Sequence, residues 1–214
     1  MNAPGPDLAA LREAVTEFAR FAGPERSWQR LLRETAPALD LSVPGHPRAL
    51  LAWLNSWGCR LRNPRPGEPD VFGESVAAWW SRWAAHLPGP DDSLTRLTDA
   101  GIDRLGLCYA DLAAAPATAG ARPRSLGSTA ASKALHALRP RAVMPWDAAI
   151  AERLHGARTP AAYAAHLRLG REWALGVLAE SGLGEEALAA ELGRPGRPLT
   201  KMLDDYCYLT FSVL

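Results

Sequence analysis

The sequence predicts an all-α protein, on three observations. Apolar residues recur at helical spacing almost throughout, as in Leu8, Leu11, Val15 and Phe18, with Arg12, Glu13 and Glu17 mostly on the opposite face. Stretches rich in proline and glycine, such as CRLRNPRPGEPD at 59–70, separate the periodic ones. No strand-like alternation longer than the terminal YCYLTFSVL occurs, which leaves room for one short extended tail.

The elements follow in order. The first helix is expected over roughly 7–22. Ser27 reads as the cap of a second, over SWQRLLRETA, because a serine hydroxyl satisfies a free N–H of a first turn. Pro47 opens PRALLAWLNSWG where its missing N–H costs nothing, and Gly58 suits the left-handed end of that helix. After the loop at 59–70, VFGESVAAWWSRWAAHL sets Val76, Trp79 or Trp80, Trp83 and Leu87 on one stripe until PGPDD stops it. A further helical stretch occupies 92–115, with a break near Gly101. The run AAAPATAGARPRS at 113–125 predicts a linker between possible lobes 1–112 and 126–214 of a single helical body. Helices are expected at about 127–138, 147–155, 160–181 and 184–192, then GRPGRP and a final PLTKMLDDYCYLTFSVL.

A chain of 214 residues, 48% of them hydrophobic, is long enough to bury one substantial core. Its net charge of +1 excludes the global field that drives strong non-specific attachment to nucleic acid or an anionic membrane, so a nucleic-acid partner requires a local patch. Arg122, Arg124, Arg139 and Arg141, with Arg194 and Arg197 elsewhere, are the candidates. Lysine occurs only at Lys133 and Lys201, the rest of the 24 basic residues being arginine. Of the two residue types only lysine readily gives up its proton to act as base or nucleophile. Cys59, Cys108 and Cys207 have neither zinc-site nor disulfide spacing, so no metal, no cofactor and a reducing compartment are expected. With no signal-peptide pattern and no long apolar run, the expectation is a soluble cytoplasmic protein without a membrane partner.

Chemistry concentrates in ASKALHALRPRAVMPWDAAI, residues 131–150. Pro140 and Pro145 end one helix and aim the chain at the next, at whose first turn Asp147 sits. There the helix dipole and free backbone N–H groups fix a carboxylate. Lys133, on the preceding helix, lies within a short loop's reach, and His136 follows it at a neighbouring helical position suited to assisting proton transfer.

The order of helix, short loop and M-P-W-D opening a further helix resembles the helix-hairpin-helix base-excision DNA glycosylases over residues 125–150. The resemblance implies a two-lobed helical fold with its active site in the cleft between lobes. It implies that Asp147 stabilises the developing sugar cation or positions the attacking group, and that Lys133 is the candidate amine of a glycosylase-lyase. Aligned without a gap from Asp147, the motif puts Ser128 at the family's lysine position; a shortened loop puts Lys133 there. Of the family's glycine-rich phosphate-holding turn, SLGSTAASK retains Gly127.

Trp146, adjoining Asp147, is a candidate for stacking on an extruded or free base. Trp53 and Trp57, four apart on one helical face, form either a packing pair or a stacking pocket. Arg139 and Arg141 are candidate phosphate contacts. In KMLDDYCYL, Lys201 and Asp205 form an i,i+4 pair on what reads as the exposed face of a docking helix, with the Tyr206 hydroxyl a candidate to reach the cleft. The leading expectation is cleavage of a base–sugar bond in damaged DNA or a related nucleobase substrate, with DNA or a small nucleobase-like ligand as partner. A small-molecule enzyme on the same helical architecture and a non-catalytic interaction module are the other two readings.

Overall fold

The computed structural model describes residues 5–118 and 123–212. Ten α-helices are found among them, with one short hairpin. Helix α1, Leu8–Phe18, is capped by the Asp7 carboxylate, which accepts from the Ala10 N–H. It ends four residues short of expectation, and α2 begins at once, spanning Ala22–Glu34. Pro24 falls in that helix's first turn, where N–H groups lack intrahelical acceptors, so a proline is compatible with a start there. Ser27 is therefore inside a helix and not a cap; its hydroxyl accepts from Trp57 Nε1 at 3.1 Å.

Helix α3, His46–Ser56, carries Pro47 in its first turn and ends at Gly58, whose φ is +77°. After the loop, α4 spans Val71–Trp83 and α5 spans Asp99–Ala114, capped by Asp70 and Thr98 respectively. The described part of the expected linker forms an antiparallel hairpin, β1 (Pro116–Thr118) with β2 (Arg124–Ser125), and β1 packs on α4. Helices α6 (Gly127–Leu138), α7 (Ala148–His155), α8 (Pro160–Ser181) and α9 (Glu185–Glu191) lie within a residue or two of the predicted spans. The C-terminal segment is α10, Leu199–Cys207, followed by a π-helical turn over Tyr208–Ser212, where an extended tail was expected.

One continuous core joins these elements, with α5 lying against both α6 and α8, and α1 against α10. Gly106 makes the α5–α8 approach possible, since a Cβ there would stand 2.9 Å from the Pro160 carbonyl oxygen. That closeness offsets the roughly 1 kcal/mol that a glycine costs inside a helix. The Trp79 indole donates to the Cys108 carbonyl at 3.1 Å and so ties α4 to α5. Among the described residues no helix is long and apolar enough to cross a membrane.

Candidate active site

The loop between α6 and α7 is stapled to α6 by two side chains. Ser132 Oγ donates to the Trp146 carbonyl at 2.8 Å, and His136 Nδ1 lies 2.8 Å from the Val143 carbonyl. A carbonyl only accepts, so the proton is on Nδ1. Burial lowers the His136 pKa to about 4, which leaves the ring neutral at pH 7. On the other side, His166 Nε2 donates to the Pro145 carbonyl at 3.2 Å, and its Nδ1 faces His155 Nε2 at 3.2 Å. Burial lowers His166 to about 3. The loop that ends in Asp147 is thus held from both flanks by neutral imidazoles and a hydroxyl.

Asp147 caps α7. Its Oδ1 accepts from the Ala149 and Ile150 N–H groups, both at 2.9 Å, and its Oδ2 accepts from Ser212 Oγ at 2.7 Å. Lys133 Nζ donates to the Trp57 carbonyl at 2.9 Å and lies 5.4 Å from the Trp57 ring centre. The two side chains line one cavity of about 220 Å³, together with Phe18, Phe21, Trp57, Ile150, Asp204 and Tyr208. Among the described residues neither Asp147 nor Lys133 is in an ion pair, whereas their neighbours Asp204, Asp205, Arg197 and Lys201 are joined in one buried network.

In that network Lys201 Nζ donates to Asp204 at 2.7 Å and also to Asp205, and lies 4.3 Å from the Phe18 ring centre. Arg197 donates to Asp205 at 2.8 Å. Burial works against the Lys201 charge, but the two carboxylates outweigh it and hold the ammonium's pKa above the usual lysine value. Burial pushes the Asp205 carboxyl up while Lys201 and Arg197 draw it down. The expected exposed face of the last helix is therefore a buried charge cluster, and it forms one border of the cavity through Asp204.

Several expected site residues stand elsewhere. Trp146 is 1% exposed and packs edge-on against Tyr109 and Tyr163, so it is a core residue and presents no stacking face. The reason is local: an N-cap residue is extended, which turns the side chain before it away from that of Asp147. His136 faces Trp28 and a different cavity. Ser128 lies beside the Tyr109 hydroxyl in the first turn of α6, off the Asp147 cavity. Tyr206 packs edge-on against Trp173 and Phe211, and Tyr208 lines the cavity in its place. Trp57 borders the cavity, whereas Trp53 lies behind it.

Three of the candidate arginines are committed inside the protein, whereas Arg124 and Arg194 form no ion pair among the described residues. Arg139 donates through Nε to the Pro88 carbonyl and lies over the Trp80 ring; Arg141 pairs with Glu186 at 3.0 Å; Arg197 pairs with Glu25 and Asp205. Arg122 lies outside the described residues. Phe18, Phe21 and Ser212 carry no sequence signal for a site; tertiary packing alone brings them to Asp147.

No family model, curated protein or solved structure matches the chain.

Proposed function

We propose that the protein cleaves a base–sugar bond at the Lys133–Asp147 cavity, with Asp147 stabilising the positive charge that develops on the sugar. The observation that carries this reading is a carboxylate fixed by three hydrogen bonds, free of any ion pair among the described residues, facing a small cavity that also holds a lysine. A preorganised anion of this kind stabilises a cation-like transition state more than a neutral substrate. The resemblance of residues 125–150 to helix-hairpin-helix glycosylases supports the same chemistry.

In the reaction the bond between the sugar's anomeric carbon and the base nitrogen breaks, its electron pair leaving with the base. The base takes up a proton, for which Lys133 is a donor on the cavity wall. Water adds its oxygen to the anomeric carbon, and the proton it loses passes to the neutral Lys133 amine, restoring the ammonium. Water is preferred to the lysine amine as nucleophile because Nζ is held as a donor to the Trp57 carbonyl. A nucleoside-sized substrate is preferred to duplex DNA, because Arg139, Arg141 and Arg197 are spent on internal partners.

The test is free-base release, followed by chromatography, from a panel of nucleosides and from duplexes carrying damaged bases, with the native protein and Asp147→Asn. Release by the native protein that Asp147→Asn loses supports the reading. Release at an equal rate by both proteins, or none from any substrate, overturns it.

A further inference from the structure

A second cavity, of about 390 Å³, lies on the far side of Trp57 and has no part in the bond cleavage proposed above. Two half-buried indoles border it, Trp28 from α2 and Trp57 at the C-cap of α3, both packed on the buried Trp53 with ring centres 5.6 Å and 5.4 Å from its own. Facing them is the turn at 193–198, in which Gly193 and Gly196 adopt φ of +70° and +77° and Gly196 lies between Pro195 and Pro198. Arg197 ties this turn down, donating to Glu25 on α2 at 2.9 Å and to Asp205 on α10 at 2.8 Å. Both sides of the cavity are therefore fixed in place without a ligand, as in most small-molecule sites.

Arg194, from the same turn, borders the cavity and forms no ion pair among the described residues. A guanidinium donates and never accepts, so a ligand that engages it must bring acceptor atoms. The aromatic walls favour a flat ring, and the neutral His136 ring extends them 5.9 Å from the Trp28 centre.

We propose that this cavity binds a planar heteroaromatic ring of purine size, stacked on the half-buried faces of Trp28 and Trp57, with acceptor atoms on its edge toward Arg194. The site stands apart from the Asp147 cavity and does not depend on the reaction assigned there.

The probe is 2-aminopurine, whose fluorescence is quenched when it stacks on indole. Titration of the native protein should give saturable quenching, competed by purine and not by ribose. Trp28→Ala should weaken binding about tenfold, the usual scale for losing one stacking partner, and Trp28→Phe should restore most of it. Asp147→Asn should bind as the native protein does. The proposal is overturned by the absence of saturable quenching, by undiminished binding in a Trp28→Ala protein whose thermal transition remains cooperative, or by loss of binding in Asp147→Asn alone.

Discussion

Lys201→Met removes one charge from the cluster between α1, α3 and α10, and its cost follows from what remains. Lys201 bonds both Asp204 and Asp205, whose side chains are 10% and 1% exposed, and only Asp205 keeps a second cation, Arg197. The single variant thus leaves two buried carboxylates facing one guanidinium. Breaking a buried ion pair from one side costs about 3–5 kcal/mol, because the abandoned charge stays desolvated. For a chain of this length each kcal/mol lowers Tm by about 2–4 °C, so a fall of roughly 6–20 °C is expected. Lys201→Met combined with Asp204→Asn restores one anion to one cation and should recover most of the loss. Differential scanning calorimetry of the three proteins at pH 7 decides it. A single variant within 1 kcal/mol of native, or a double variant no more stable than the single, would refute the assignment of a coupled buried network.

Asp147→Asn keeps an acceptor for the Ala149 and Ile150 N–H groups, so stability should move by no more than about 1 kcal/mol in urea titration, while base release falls by about 10²–10³-fold. Lys133→Met should slow base release about a hundredfold. With water as nucleophile, borohydride should trap no covalent adduct on the native protein; a trapped adduct that Lys133→Met abolishes would make the lysine the nucleophile. Stability should decline as pH falls from 6.5 to about 4, because the unfolded chain protonates His136 and His166 while the folded chain keeps them neutral. The slope should approach about 1.4 kcal/mol per pH unit for each histidine, and His136→Asn, whose amide can still donate to Val143, should make it shallower in denaturant titrations at stepped pH.

The helices flanking the site were legible because their ends are written in short-range chemistry. Thr159 and Pro160 start α8 and Gly182 ends it; Asp147 starts α7 and Gly156 ends it. The start of α2 was hidden because Gly23 and Pro24 resemble a break, and proline's tolerance in a first turn is not visible until the backbone is known. The meeting of Lys133 and Asp147 at one cavity follows from their separation by a single short loop. The remaining walls do not, because Phe18, Trp57, Asp204 and Ser212 come from elements far apart in sequence. Lys201 and its aspartates read as a solvated face for the same reason: α1 and Trp57, which cover them, are remote along the chain. Trp146 misled by adjacency, since consecutive side chains in an extended segment point in opposite directions.

Trp57 is a single plate serving two chambers, with Lys133 at 5.4 Å and Lys201 at 4.8 Å from its ring centre and its own N–H anchored on Ser27. Truncating this one side chain would therefore open a wall of each chamber at once, and no substitution at position 57 can probe one without disturbing the other.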